Sequence, residues 1–210
     1  MVPVIRQNEI KASKRRRCSM VKRTVISILT SVMLLAVFHT ICLAQTQIGS
    51  SPFRPASVGV PTKGIVECGE GYTSHELYDA KITLLEVMRG EKAWDLVKRA
   101  NASNLPPKTG SEYVLARIRF DYFARGAPGN CSHLVQKEQF TAFSVDGEKY
   151  QPPSVVVPKP ELSGRIHSGD SLEGWVAFLV PKSDNKLLMS FSADATGAVQ
   201  HGGNVWFQLY

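Results

Sequence analysis

From Val114 to Tyr122 the chain alternates between apolar and polar residues. Val114, Ala116, Ile118, Phe120 and Tyr122 fall on one side of an extended backbone, and Arg117, Arg119 and Asp121 fall on the other. Successive side chains of a strand point to opposite faces, so this stretch is read as a strand with one face in a core and one toward water. A helix would scatter the same residues around its axis. The most regular pattern in the chain therefore demands a second layer to cover its apolar face.

Further strand signals supply that layer. Tyr78, Ala80, Ile82 and Leu84 alternate, and the phase then slips to Leu85 and Val87, as at a β-bulge. Phe140 and Ala142 lead into Val145-Asp146-Gly147-Glu148, a turn with glycine free to take positive φ, and Tyr150 begins the return. Val155–Val157 lies between Pro152-Pro153 and Pro158, which marks an edge piece. In Gly169–Lys182 a Gly-Asp turn precedes a strand with Leu172, Gly174, Val176, Phe178 and Val180 on one face and Trp175, Ala177 and Leu179 on the other. Both faces are apolar, as expected for a central strand, and Pro181 closes it. Leu187, Met189 and Phe191, then Val205, Phe207 and Leu209, complete the set. One helix is expected from Ala93, Leu96, Val97 and Ala100, with Glu91 in its first turn, Lys98 and Arg99 in its last, and Pro106-Pro107 beyond it. Many short strands and a single short helix inserted between strands describe an all-β protein, an antiparallel β-sandwich.

The net charge of +7 sits in the leader. Residues 1–44 carry eight basic side chains against Glu9, and the 17 basic and 17 acidic residues that follow cancel. The body is therefore neutral, so the basic pI says nothing about its partners, and nucleic acid is not expected among them. Lys22-Arg23 precedes the apolar run Val25–Phe38, and Cys42-Leu43-Ala44 offers a small-residue cut between Ala44 and Gln45. This is the pattern of a signal peptide with Met1 or Met20 as its start; kept uncut, it would be a signal anchor and the protein's contact with a membrane. The protein is expected to be exported: secreted, periplasmic or at the cell surface. Once the leader is cut, Cys68 and Cys131 remain. In an oxidising compartment they are expected to pair, stabilising the fold by about 4 kcal/mol in the chain-entropy model. Residues 45–62, with Pro52, Pro55 and Pro61 among Ser, Thr and Gly, read as a flexible tether, and the domain as residues 63–210.

Three ordered segments, Tyr78–Gly90, Ala100–Phe120 and Gly169–Lys182, carry a resemblance. Within them, Gly110-Ser111-Glu112-Tyr113-Val114-Leu115 and the strand from Gly174 to Pro181 are the most telling. Together they resemble a family of exported bacterial immunoglobulin-like domains of unknown function, grouped with the immunoprotective extracellular antigens of mycobacteria. The resemblance spans residues 63–210 and implies an immunoglobulin-like sandwich on an exported or surface-attached protein. It implies no catalytic residue.

Candidate chemistry is sparse. Gly169-Asp170-Ser171-Leu172 spells the nucleophile block of the GDSL esterases, which would make the protein an extracytoplasmic serine esterase. That chemistry needs a strand-to-helix turn and a nearby base. Here a strand follows the serine, Asp194 and His201 stand seven apart, and Gly202-Gly203-Asn204 comes after the histidine. Turn chemistry explains the same four residues. His75, His133, His167 and His201 lack metal-ligand spacing, so no metal or other cofactor is expected. Arg117, Arg119, Tyr122, Phe123 and Arg125 read as the outer face of a strand, and Trp94, Trp175 and Trp206 as core or as a ligand platform. Asn101-Ala102-Ser103 and Asn130-Cys131-Ser132 match the glycosylation sequon. Glu91–Gly110 is either a binding loop or a helix that caps an open end of the core through Trp94 and Val97. The reading is a non-catalytic binding module whose partner is a protein or an envelope component.

Overall fold

The computed structural model describes residues 47–68, 76–126, 131–150, 152–193 and 204–210. The leader with its cut at Ala44 and Gln45, and Asn130 of the second sequon, lie outside the described residues. Strand β1 (Pro61–Cys68) is followed by β2 (Glu76–Arg89), helix α1 (Gly90–Ala100) and β3 (Ser111–Ala124). Then come β4 (His133–Val135), β5 (Phe140–Phe143), β6 (Lys149–Tyr150), β7 (Gly164–Ile166), β8 (Ser171–Pro181), β9 (Leu188–Phe191) and β10 (Val205–Gln208). One antiparallel sheet runs β1-β2-β3-β8 and a second runs β10-β9-β5-β6, with β4 and β7 forming a small third pair. The all-β sandwich with one short helix is the architecture read from the alternation. The phase slip on β2 is a register shift between Leu84 and Glu86 against β3.

The two large sheets bury one core between them. Ile82, Phe120 and Val176 from the first meet Phe140, Met189 and Phe207 from the second. Phe191 is the hinge of this contact, with its ring 5.4 Å from Phe120 and 5.2 Å from Phe140. The disulfide between Cys68 at the end of β1 and Cys131 just before β4 closes a separation of 63 residues, with Cα atoms 6.2 Å apart.

A second, smaller core lies on the outer face of the first sheet. Tyr113, Leu115 and Trp175 point outward there and are roofed by Ala93 and Val97 of α1 and by Val157. This corrects two expectations. Strand β8 is an edge strand, not a central one; its outer face is apolar because a helix and a loop cover it. Its free edge is screened by Pro160–Leu162, where the Trp175 N–H donates to the Pro160 carbonyl (2.9 Å) and the Leu162 N–H to the Trp175 carbonyl (3.2 Å). Val155–Val157 is no edge strand: it is an extended roof segment, held where Asn104 Nδ2 donates to the Val156 carbonyl and Asn104 Oδ1 accepts from its N–H.

The compact unit begins at Gln47, well before Lys63. Residues 47–60, expected as a flexible tether, lie along the open edge of β10. The Ala56 N–H donates to the Trp206 carbonyl, the Gln208 N–H to the Ala56 carbonyl, and the Trp206 N–H to the Gly49 carbonyl, at 2.8–2.9 Å. Ala56 is 0% exposed. Backbone pairing, which needs no apolar period, holds this stretch, so composition alone misjudges it.

Candidate ligand groove

On β10, Val205 and Phe207 face the core, so Trp206 is turned to the outer face of the second sheet. On β5, Phe140 and Ala142 face in, which turns Phe143 out beside it, with ring centroids 5.3 Å apart and tilted by 52°. Leu188 fills the floor between them. One wall is the turn after β5. The Ser144 N–H donates to the Glu148 carbonyl, the Gly147 N–H to the Ser144 carbonyl, and Gly147 takes φ +88°, which puts Val145 and Asp146 at the rim. The opposite wall is Pro52, Phe53 and Pro55, presented by a loop closed where the Gly49 N–H donates to the Arg54 carbonyl at 2.7 Å. Tyr210 completes the rim, anchored by the fully buried Leu209 before it. The groove encloses about 570 Å³. Phe53 and Tyr210 are 93% and 58% exposed, and Phe143 and Trp206 are half-buried, so aromatic surface stands open to solvent beside the sheet's outer face.

A smaller cleft of about 350 Å³ lies at the other end of the first sheet, lined by Glu76, Leu77, Tyr78, Ala124, Arg125 and Gly126. Of its lining residues, Tyr78 stacks on Tyr122, with ring centroids 4.6 Å apart.

Ser171 opens β8, and its turn is docked on β3: the Gly169 N–H donates to the Tyr122 carbonyl and the Tyr122 N–H to the Asp170 carbonyl, with Gly169 at φ +98°. The Ser171 hydroxyl donates to Asp121, which Arg119 Nε (2.9 Å) and Lys81 Nζ (3.2 Å) also contact. Asp121, expected to face water, is 2% exposed, because these three side chains close over it. Burial alone would raise its pKa, but hydrogen bonds from Ser171, Arg119 and Lys81 outweigh that and hold it below the usual carboxylate range. A carboxylate so held is a poor base. No hydrogen bond joins Ser171 to a histidine among the described residues, and Asp194, His201 and Gly202-Gly203 lie outside them.

The remaining candidates disperse. His133 is stacked between the Phe120 and Tyr122 rings, 5.8 and 5.7 Å away, and burial lowers its pKa to about 4 despite a contact with Gln139 at 3.1 Å. His167 is exposed beside Asp170, while His75 and His201 lie outside the described residues. No group of three metal-binding side chains forms among the described residues. Arg117 pairs with Glu173, Arg119 with Asp121 and Arg125, just beyond β3, with Asp79, so each of these arginines has an acidic partner. Trp94 and Trp175 belong to the outer core and only Trp206 to the groove, so the three do not form one platform. In Glu91–Gly110, Asn104 Nδ2 caps the helix at the Val97 carbonyl (2.7 Å), and the Tyr113 hydroxyl donates to the Leu105 carbonyl. That segment is a roof over the sheet's outer face and does not cap an open end of the main core.

The groove itself was missed in the sequence. Its signal was Trp206 and Phe143, each out of phase with inward neighbours on its strand. Phe53 and Tyr210 carried no comparable mark, because tertiary structure alone brings them alongside.

No helix among the described residues is long and apolar enough to cross a membrane. No family model matches the chain, and no curated protein sequence matches it. Three solved structures are similar to it. The yjhA protein of Bacillus subtilis has 12% identity and a TM-score of 0.47 over 74% of this chain and 99% of its own. The secreted protein MPT63 of Mycobacterium tuberculosis has 11% identity and a TM-score of 0.43, covering 73% of this chain and 97% of its own. An uncharacterised β-sandwich protein of Clostridium difficile has 13% identity and a TM-score of 0.38 over 74% of this chain and 95% of its own.

Proposed function

We propose that this is an exported, non-catalytic immunoglobulin-like binding module, of the kind its three ordered segments resemble, and that its ligand face is the aromatic groove on the β10-β9-β5-β6 sheet. The observation that carries the reading is the open cluster of Phe53, Phe143, Trp206 and Tyr210 around about 570 Å³ of space. Aromatic side chains left exposed on a rigid frame mark a recognition surface, since burying them inward would have stabilised the fold. Export rests on the leader of residues 1–44 and on the Cys68–Cys131 bridge, which belongs to an oxidising compartment. Recognition here works by complementarity between the groove and its ligand, with no bond made or broken.

The test uses Nile red, a neutral apolar dye, with the protein recovered after export. The native protein is expected to bind the dye, and Phe143→Ser and Phe53→Ser are expected to weaken binding while the melting temperature of the Phe53 variant is unchanged. Dye binding that ignores both substitutions, or no binding at all, overturns the groove. A protein found in the cytoplasm with residues 1–44 intact overturns export.

A further inference from the structure

We infer that the groove takes a small soluble cation of the methylated-ammonium class, such as choline; this rests on the groove being the ligand face. The aromatic residues alone would suit any apolar ligand. What narrows the choice is charge. Asp146 at the rim is the one charged side chain among the described residues lining the groove, and it makes no hydrogen bond or ion pair with another described residue. Arg54 lies between the wall residues Phe53 and Pro55 yet does not line the space. Among its described lining residues the groove thus offers aromatic rings and one acidic side chain, and no basic one.

The physics of those groups selects the ligand. An aromatic ring is negative over its face, so a cation within about 6 Å of the centroid is attracted, most strongly by tryptophan. Phe143 and Trp206 stand 5.3 Å apart at 52°, a tilted pair that lines the groove. Phe53 and Tyr210 supply two more rings to its lining. A quaternary methylammonium such as that of choline spreads its charge over methyl groups and has no N–H to satisfy, so it sheds water at less cost than a lysine ammonium. It fits a site with aromatic walls and a single carboxylate. The volume exceeds what a bare tetramethylammonium head fills, leaving room for the chain that choline carries.

The experiment titrates the exported protein calorimetrically with choline and with 3,3-dimethylbutan-1-ol, its uncharged isostere of the same shape. Choline is expected to bind at least about tenfold more tightly than the isostere, since cation–π attraction and the carboxylate act only on the charge. Trp206→Leu, which keeps an apolar side chain but removes the π face, and Asp146→Asn are each expected to weaken choline several-fold without changing the isostere. Asp146→Asn is an exposed turn substitution, so it reads the charge even if Trp206→Leu disturbs the sheet. Equal binding of choline and the isostere overturns the cation and leaves the apolar groove standing. Binding to phosphatidylcholine vesicles without binding to free choline, or no binding to either, also overturns it. Nile red then decides separately whether the groove reading survives.

Discussion

Gly174 shows how one residue can fix a neighbouring segment. A Cβ placed there would collide with the backbone of Glu161 and Leu162, so only glycine lets Pro160–Leu162 lie against the edge of β8. Gly174→Ala is expected to cost at least about 2 kcal/mol, since backbone on both sides cannot yield. Gly126→Ala, with open space around it and no positive φ, is the neutral control, and urea midpoints compare the two. Ser171 is judged at the same scale. Its hydroxyl is committed to Asp121, one of three donors that keep that carboxylate ionised inside the sheet surface. Ser171→Ala is therefore expected to lower stability by about 1 kcal/mol, the worth of one such hydrogen bond. Hydrolysis of p-nitrophenyl acetate is expected to be the same with and without the serine. Serine-dependent turnover would restore the esterase.

At the scale of elements, α1 is a lid on a sheet, and its attachment is unusually local. The Asn104 side chain joins the helix end at Val97 to the roof segment at Val156, using both amide hydrogens and the carbonyl oxygen. Asn104→Ala is expected to cost about 2 kcal/mol and to speed amide exchange in α1 before that of β3. Exchange that rises equally in both elements would mean that the helix and sheet open as one unit. The disulfide acts on the other end of the same sheet. Reducing it is expected to lower stability by about 4 kcal/mol, and thiol labelling of the unfolded exported protein is expected to find no free sulfhydryl. These elements also show what was legible in the sequence. Alternation on β3, the slip at Leu84, the turn at Gly147 and the helix with its charged ends could all be read, because each is set by near neighbours in the chain. The position of β8 could not. Apolar residues on both of its faces reveal that both are covered, but not whether a strand or a helix covers them. The edge cover at Ala56 was illegible for a related reason: it is held by main-chain bonds, which leave no trace in side-chain pattern.

For the molecule as a whole, acid is the condition that separates its buried ionisable groups. His133 sits between Phe120 and Tyr122, facing Gln139 from the turn before β5, and burial holds its pKa at about 4, below the ordinary 6.5. The unfolded chain therefore binds a proton between those values while the folded chain does not, and stability falls as the pH drops from 6.5 toward 4. At 1.4 kcal/mol per pKa unit the loss is of order 3 kcal/mol, and it levels off below pH 4. Asp121 acts in a lower window. Its folded pKa is held below that of the unfolded carboxyl, so its contribution is present at neutral pH and is lost only as the pH falls beneath the carboxylate range. The two steps can be told apart by replacement. His133→Gln is expected to flatten the melting temperature between pH 6.5 and 4 and to leave the lower step in place. Asp121→Asn is expected to remove the lower step and keep the upper one. A wild-type melting temperature constant from pH 7 to pH 4 would show that the imidazole takes up its proton in the fold as readily as in the unfolded chain.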